Sequence, residues 1–308
     1  MHNSKLTCQF LDFELNTPFV LASGIIGTSE TLLGRAARSG AGMVTAKSCS
    51  LAPRAGHQNP VAVDWGGGLL NAIGLTNPGV EKEVEMLTQA RPKLHALGVP
   101  LIASVFAGTV AEFAEAAARI AEAQPDLIEI NISCPNVGDE FGTPFSGTVA
   151  SAVAVTEAVR AKVSGPIALK LAPNVPDIAR IAAAVEAAGA DAITAVNTMP
   201  GMVIDAVSGR PFLSNRVGGL SGPALKPIAL RCVYEIAQAV SIPIIGTGGV
   251  STGQDAVEML MAGATVVGIG SAVYSRGVSA MQEIGAELVN FMEEQGIESI
   301  AEMRGRGQ

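Results

Sequence analysis

The sequence predicts an α/β protein folded as a (β/α)8 barrel, on three observations. Eight short apolar runs recur along the chain, Ala-rich helical patterns lie between them, and Gly or Pro ends most of these helices before the next run. Strands that are buried on both faces appear as such continuous apolar runs. Eight strand–helix units in roughly 250 residues fit a closed barrel. A doubly wound open sheet is the alternative that strand counting leaves open.

The eight β-branched or aliphatic runs are predicted as the barrel strands. In chain order they span Phe19–Ser23, Met43–Ser48, Pro100–Phe106, Leu127–Ser133, Ile167–Ala172, Ala192–Thr198, Pro243–Gly248 and Val266–Ser271. Ahead of them, Lys5–Phe10 and Asp12–Leu15 predict a short N-terminal β-hairpin that closes the bottom of the barrel.

Helical periodicity of small and apolar residues predicts the segments between the strands. These helices are Val80–Leu97, Val110–Ala123, Thr148–Val163, Ile178–Ala188, Ala224–Val240, Gly253–Ala262 and Val278–Gln295. No linker, low-complexity tract or charge run divides residues 1–308, so we expect a single domain. The long connections 49–79, 134–147 and 199–223 follow strands at the end where barrel enzymes build their sites.

Composition and charge exclude several classes of protein. Hydrophobic residues make up 48% and charged residues 16% of the chain, which excludes disorder. Four Cys in 308 residues form no disulfide framework, and a net charge of -8 argues against a nucleic-acid surface. We find no membrane span, no signal peptide and no metal-binding motif. We therefore expect a soluble protein of the reducing cytoplasm without a metal.

Two Gly-rich segments end the last two strands, Ile245-Gly-Thr-Gly-Gly-Val250 and Gly268-Ile-Gly-Ser271. Glycine lets backbone N–H groups turn toward an anion, and each segment precedes a helix whose N-terminus favours negative charge. Barrels commonly hold phosphate after the seventh and eighth strands. These residues predict a phosphate site, the alternative being two tight turns without a ligand.

Reactive side chains follow other strands. Cys134 leaves the fourth strand in Asn131-Ile-Ser-Cys-Pro-Asn136, where it is either a nucleophilic or basic thiol or a loop Cys beside turn-forming Asn. Lys47 and Lys170 end apolar strands, which favours contact with an anion, a cofactor ring or a Schiff-base substrate over a merely structural Lys.

Amide side chains are predicted to converge on the same mouth. They come from Leu70-Asn-Ala-Ile-Gly-Leu-Thr-Asn-Pro-Gly79, from Asn197-Thr198 and from the Cys134 segment. Several amides together suit a planar heterocycle with alternating carbonyl and N–H edges. Taken singly, each Asn is more typical of a turn.

Together these motifs resemble class 1 of the dihydroorotate dehydrogenase family. The resemblance runs from Ala22-Ser-Gly24 to Gly270-Ser271, in the family's order, and its specific parts are the Asn131–Asn136 and Leu70–Gly79 motifs. It implies a (β/α)8 barrel that binds FMN and oxidises dihydroorotate to orotate in pyrimidine biosynthesis. It also implies the residues that hold the cofactor: Ala22, Ser23, Gly24, Lys47, Ser48, Asn131, Lys170, Val196, Gly222, Gly248, Gly249, Gly270 and Ser271.

Within that set, the resemblance puts Lys170 near the N1 side of the flavin, where it would stabilise the reduced, anionic ring. Gly222 would approach the ribityl chain and phosphate. The substrate residues would be Lys47, Asn71, Ile73, Gly74, Leu75, Asn131, Asn136, Asn197 and Thr198, with Lys47 meeting the carboxylate. Cys134 would be the general base that takes the C5 proton while a hydride passes from C6 to flavin N5.

The motifs look most like the NAD-linked class 1B catalytic subunits. Such a subunit is implied to form a homodimer and to pass electrons to NAD through a separate FAD/2Fe–2S subunit, in a heterotetramer. The acidic loop 137–147 departs from the family, whose loop is often basic or Gly-rich. This departure leaves open another dihydropyrimidine as substrate. The phosphate loops and Lys170 leave open a second alternative, a phosphosugar lyase in which Lys170 forms a Schiff base.

Overall fold

The computed structural model describes residues 4–133 and 145–308, and in them eight parallel strands form a closed barrel. Each strand pairs with the strands before and after it in the chain, and the eighth pairs with the first. The barrel strands are Phe19–Leu21, Met43–Thr45, Leu101–Val105, Leu127–Asn131, Ile167–Leu171, Ala192–Ala195, Ile244–Thr247 and Val266–Ile269. The predicted barrel is confirmed.

Every predicted strand is present, but each is shorter than the apolar run that predicted it. The second run, for example, was expected to reach Ser48, whereas the strand ends at Thr45. Lys47 and Ser48, just beyond it, line the cavity described below. After them an isolated bridge, between Cys49 and Val105, continues the pairing with the third strand.

Helices pack around the barrel. They are Glu30–Arg38, Val80–His95, Val110–Ile120, Val149–Arg160, Ile178–Ala187, Lys226–Ala237, Gly253–Met261, Ala272–Arg276, Ala280–Gln295 and Ile300–Met303, with single 3-10 turns at Ser4–Leu6, Ala121–Ala123, Phe145–Gly147 and Pro223–Leu225. Thr109 and Thr148 cap two of the helices, each accepting a hydrogen bond from a first-turn backbone N–H.

The helix Glu30–Arg38 is not among the helices named from the sequence, although eight strand–helix units require one between the first two strands. Gly34 within it lowers its helical propensity and weakens the pattern. The signal that could have found it is Ser29, whose Oγ accepts a hydrogen bond from Leu32 N at 3.3 Å. Its inner residue Leu33 is fully buried.

The N-terminal hairpin closes the amino end of the barrel, as expected. Cys8–Phe10 pairs antiparallel with Phe13–Leu15, a shorter hairpin than predicted. Its side chains Phe10 and Leu15 are buried at 1% and 0% exposure. They pack on one residue from each barrel strand: Val20, Met43, Ile102, Leu127, Ala168, Ala192, Ile245 and Val266. This apolar layer leaves the opposite, carboxyl end of the barrel for chemistry.

At that carboxyl end the long second and sixth connections are not irregular. They contribute an antiparallel four-stranded sheet, Met199–Gly201, Gly218–Ser221, Leu69–Asn71 and Ala62–Asp64 in spatial order. A smaller hairpin, Ile204–Asp205 with Arg210–Pro211, extends from it. Leu70, Ala72 and Leu213 form a separate small core, and residues of three of the sheet's strands line the cavity described below.

Candidate active site

A cavity of about 440 Å³ opens at the carboxyl end of the barrel. Its volume is within the range of small-molecule and cofactor sites. Every described residue that the sequence analysis assigned to cofactor or substrate lines it: Ala22, Ser23, Gly24, Lys47, Ser48, Asn71, Ile73, Gly74, Leu75, Asn131, Lys170, Val196, Asn197, Thr198, Gly222, Gly248, Gly249, Gly270 and Ser271. The expected base Cys134 and Asn136 lie outside the described residues.

Lys170, on the fifth barrel strand, is held at the floor of this cavity. Its side chain is only 7% exposed, and Nζ donates a hydrogen bond to Ser23 Oγ at 2.9 Å. A carboxylate oxygen of Glu129 lies 3.6 Å from the same Nζ, and the Glu129 side chain is 4% exposed. A buried cation and a buried anion therefore face each other directly below the cavity.

Sequence reasoning missed Glu129. The available signal was an acidic residue in the middle of an apolar strand, since Leu127–Asn131 is otherwise Leu, Ile and Asn. Such a residue is buried at a high desolvation cost unless it is paired and hydrogen-bonded. Lys170 and the Ser104 hydroxyl supply that pairing.

A chain of hydrogen bonds runs from Glu129 to the predicted substrate side. Ser104 Oγ donates to Glu129 Oε1 at 3.0 Å, and Ser48 Oγ lies 2.7 Å from Ser104 Oγ. A hydroxyl has one proton, so Ser48 must donate to Ser104. Ser48 Oγ then accepts from Asn131 Nδ2 at 3.4 Å. The carboxylate thus orients three side chains, two of which line the cavity.

Asn197 connects the sixth strand to the end of the fourth. Its Nδ2 donates to the backbone oxygen and to Oγ of Ser133, at 3.2 and 3.1 Å. Ser133 Oγ in turn donates to Asn131 Oδ1 at 3.1 Å. The amide nitrogen of Asn197 is therefore engaged with the residue before Cys134, while its Oδ1 accepts from Thr198 N at 2.8 Å.

The loop bearing Ile73, Gly74 and Leu75 is fixed by backbone contacts. Arg54 Nε donates to the carbonyl oxygen of Gly74 at 2.9 Å, and His57 N donates to that of Ile73 at 3.1 Å. Gly74 and Leu75 have φ angles of 77° and 56°. The backbone of this segment is consequently presented to the cavity in one conformation.

The glycine loops after the last two strands leave a space that side chains at the glycine positions would fill. Gly249 has a φ of +76°, and a Cβ there would lie 2.6 Å from the backbone N of Lys226. Next to it, the buried Thr247 Oγ1 lines the cavity and has no hydrogen-bond partner among the described residues. An orphaned hydroxyl beside these glycine loops fits a polar, anionic group of a cofactor.

One expectation about these loops is wrong. The helix Gly253–Met261 was expected to offer its N-terminus to an anion, but the protein's own carboxylates occupy it. Asp255 Oδ2 accepts from the backbone N of Ser251 and Thr252, both at 2.9 Å, and Glu287 Oε2 accepts from Gly253 N at 2.6 Å. The short helix Ala272–Arg276, which directly follows Ser271, was also not expected.

Two titratable groups lie behind Lys47. Burial raises the pKa of Glu83 to about 7, although the positive charge of Lys47 opposes this rise. Burial also raises the pKa of the Cys49 thiol, which is fully enclosed. Cys49 is thus a protonated structural thiol, and its closeness to Lys47 in sequence gives it no reactivity.

Neither metal ligands nor membrane segments were found in the described part of the chain. Within residues 4–133 and 145–308, no three His, Cys, Asp or Glu side chains come together as a metal site. No helix in these two ranges combines the length and the apolarity needed to cross a bilayer.

Comparison with known proteins agrees with the geometry. The family model for dihydroorotate dehydrogenase matches residues 5–292. "Dihydroorotate dehydrogenase B (NAD(+)), catalytic subunit" of Methanosarcina acetivorans is 46% identical over 293 residues, 95% of this chain and 93% of that protein. The proteins of that name from Methanothermobacter thermautotrophicus and Pyrococcus furiosus are 46% and 42% identical, over 97% and 99% of both chains.

A family match over most of the chain, relatives above 40% identity and the confirmed barrel lead to one conclusion. This chain belongs to the dihydroorotate dehydrogenase family, in which it is similar to the class 1B catalytic subunits.

Proposed function

We propose that this protein oxidises (S)-dihydroorotate to orotate in pyrimidine biosynthesis, with FMN as its cofactor. The observation that supports this most is the convergence of the expected residues. Nineteen described positions, chosen from motifs scattered between Ala22 and Ser271, line one cavity at the catalytic end of the barrel. Relatives named as catalytic subunits of the NAD(+) enzyme support the same reaction.

FMN fits the chemistry of one half of the cavity. Gly248, Gly249, Gly270 and Ser271 would hold its phosphate, with the unpartnered Thr247 hydroxyl as an additional donor. Ala22, Ser23, Gly24, Ser48 and Val196 would line the ring, and Gly222 the ribityl chain. When bound, FMN supplies the acceptor for the hydride that leaves carbon 6 of dihydroorotate.

The amides and Lys47 would bind the substrate in the other half. Lys47 would pair with the carboxylate, while Asn71, Asn131, Asn136 and Thr198 would bind the carbonyl and N–H edges of the pyrimidine. Asn197 would bind a pyrimidine edge as well, and the hydrogen bonds of its amide nitrogen to Ser133 would position the strand end before the base. The backbone of Ile73, Gly74 and Leu75 would complete the pocket.

Cys134 would be the general base. It would remove the proton from carbon 5 as the hydride leaves carbon 6, so that the double bond of orotate forms between these atoms. A positioned base typically contributes about 10²–10⁴-fold. Cys134→Ser should therefore slow flavin reduction by dihydroorotate to that extent, and an unchanged rate near neutral pH would remove Cys134 from this role.

Electrons would leave through a separate subunit that carries FAD and a 2Fe–2S cluster and reduces NAD. Ile25 and Tyr274 line the cavity and are 36% and 69% exposed, so an apolar rim is available where such a partner would approach. We further propose a homodimer of this chain within a heterotetramer. Reduction of NAD by the assembly, but not by this chain alone, would support the proposal.

The two alternatives differ in what they require of Lys170. A Schiff-base lysine needs a free Nζ to attack a carbonyl, whereas Lys170 Nζ donates to Ser23 Oγ at 2.9 Å and lies 3.6 Å from the Glu129 carboxylate. This contact disfavours a phosphosugar lyase. Another dihydropyrimidine substrate would use the same residues, so only an experiment distinguishes it from dihydroorotate.

The proposal is tested by the absorbance spectrum of the purified chain during anaerobic titration. Flavin bands that bleach with dihydroorotate but not with dihydrouracil would support the reaction and its substrate. Bands that bleach only with another dihydropyrimidine would show that this compound, and not dihydroorotate, is the substrate. A folded protein that neither contains nor takes up FMN would refute the cofactor.

A further inference from the structure

We propose that Glu129 is a positioning residue that offsets the charge of Lys170 and so lowers the reduction potential of the bound flavin. The inference rests on the proposed flavin site. It concerns a residue outside the cavity lining, which the motifs of the family resemblance do not include.

The pairing of the fourth and fifth barrel strands brings the two charges together. Asn131 is paired with Lys170 in the strand register, and Glu129 lies two residues before Asn131. Side chains two residues apart on a strand point to the same face. Glu129 and Asn131 therefore project toward the same side as Lys170, which explains the separation of 3.6 Å between Glu129 Oε1 and Lys170 Nζ.

Only Lys170 of this pair lines the cavity. One of its three ammonium protons is directed to Ser23 Oγ, and Glu129 approaches from below. The side chains are 7% and 4% exposed, so water screens their interaction little. A ring that lies against Lys170 would experience the sum of the fields of an ammonium and a carboxylate. The net positive potential at the ring would therefore be lower than with Lys170 alone.

The sign of the effect follows from the charge that the ring takes up. Reduction by two electrons with one proton at N5 turns a neutral ring into an anion, and positive charge near its N1 side favours that change. Glu129 weakens this positive charge without touching the ring. Its carboxylate is itself held in place by the Ser104 hydroxyl at 3.0 Å.

The test is the midpoint potential of the flavin-loaded chain, measured anaerobically against a reference dye. Glu129→Gln removes the charge and keeps the shape. We expect the equilibrium constant for reduction to rise at least tenfold, which is about 30 mV for a two-electron couple.

Sulfite gives a second readout that involves no substrate. Its lone pair forms a bond to flavin N5, and the ring takes the negative charge, as it does on reduction. The dissociation constant of sulfite should therefore fall at least tenfold in Glu129→Gln. An unchanged or lower potential, with unchanged or weaker sulfite binding, would overturn the inference.

Three variants separate charge from structure. Glu129→Asp keeps the charge and should restore most of the wild-type potential, whereas Ser104→Ala removes only the hydrogen bond and should shift it by less than threefold in the equilibrium constant. The double variant Glu129→Gln/Lys170→Met removes both charges, so its potential should lie near that of wild type and below that of Glu129→Gln. A double variant with a potential as high as that of Glu129→Gln would show that the rise does not come from the charge of Lys170.

The double variant also guards against misfolding, because it buries no unpaired charge even if Glu129→Gln alone is unstable. In that case a double variant with a potential near that of wild type supports the inference. A double variant whose equilibrium constant for reduction falls at least tenfold, as the loss of an uncompensated Lys170 would give, overturns it. The proposed function is refuted separately, if no flavin binds or if dihydroorotate does not bleach it. The inference is refuted if the flavin binds and is bleached but the potentials of Glu129→Gln and wild type do not differ.

Discussion

Asn197 Nδ2 donates hydrogen bonds to both the backbone oxygen and Oγ of Ser133, at 3.2 and 3.1 Å. This contact joins the sixth barrel strand to the fourth at the residue immediately before Cys134. The two contacts hold the backbone of Ser133 in place, so we expect Asn197 to support the geometry of the site.

Asn197→Ala should therefore lower kcat/KM for dihydroorotate by roughly 5- to 150-fold, the equivalent of about 1–3 kcal/mol for unsatisfied buried groups. Asn197→Asp is the matched variant, because it keeps the size of the side chain but lacks the donors. It should be equally impaired, which separates the loss of the hydrogen bonds from the loss of side-chain volume. Ser133→Ala removes only one of the two acceptors and should cost less. Steady-state kinetics with an artificial acceptor decide this, and full activity of Asn197→Asp would contradict it.

Gly249→Ala should weaken FMN binding by about tenfold or more. The new Cβ would lie 2.6 Å from Lys226 N at a φ of +76°, so the loop that would hold the phosphate must move. Gly296 is the control, because it has a φ of +64° and no atom within 4 Å of the built Cβ. Fluorescence titration of the apoprotein should show normal FMN affinity for Gly296→Ala, and equal affinity in both variants would argue against a phosphate site here.

Phe10→Ala should destabilise the fold by about 3–5 kcal/mol without changing the site, because it leaves a void in the layer that closes the amino end of the barrel. Phe212→Ala is the matched control. Its ring is 41% exposed, and we expect a loss below about 1 kcal/mol. Urea unfolding measures both, and similar losses in the two variants would mean that the hairpin contributes little.

Glu83→Gln should stabilise the protein more as the pH rises. Burial raises the pKa of Glu83 from 4.5 to about 7 in the folded protein. The folded state therefore holds this proton more tightly than the unfolded state. The stability that this gives is present in full below pH 4.5 and is lost as the pH rises through about 7. Gln carries no charge and escapes this loss. Between pH 5 and pH 8, urea unfolding should show the variant gaining about 3 kcal/mol on wild type.

Glu85→Gln controls for general charge effects, because this residue is exposed on the same helix, Val80–His95. Its pH dependence should match that of wild type. A gap between Glu83→Gln and wild type that does not change with pH would mean that Glu83 is ionised in the folded protein.

Much of the fold could be predicted from sequence, because each strand is buried on both faces and so forms a distinct apolar run. The helix Glu30–Arg38 escaped because Gly34 obscures its periodicity. The sheet over the mouth escaped because its strands are only three or four residues long and contain Gly, as in Met199–Gly201 and Gly218–Ser221. Such strands are specified by their partners across the sheet rather than by local pattern.

The cavity lining was also predictable, since the chemistry-bearing residues follow strands and parallel strands end at one face. What sequence could not supply is which polar atoms meet beneath that face. Glu129 sits in an apolar strand that gives no hint of Lys170, which is 41 positions further along the chain but beside it in the barrel. The carboxylates that cap Gly253–Met261 include Glu287, which comes from another helix and could not be paired with Gly253 from sequence.

The central claim is tested most directly by counting product against cofactor in a single anaerobic turnover. The purified chain is loaded with FMN and mixed with excess dihydroorotate, with no partner subunit and no acceptor present. The account predicts bleaching of the flavin and one orotate formed per flavin reduced, because each two-electron oxidation fills one cofactor. An oxidised spectrum with no orotate formed would contradict it.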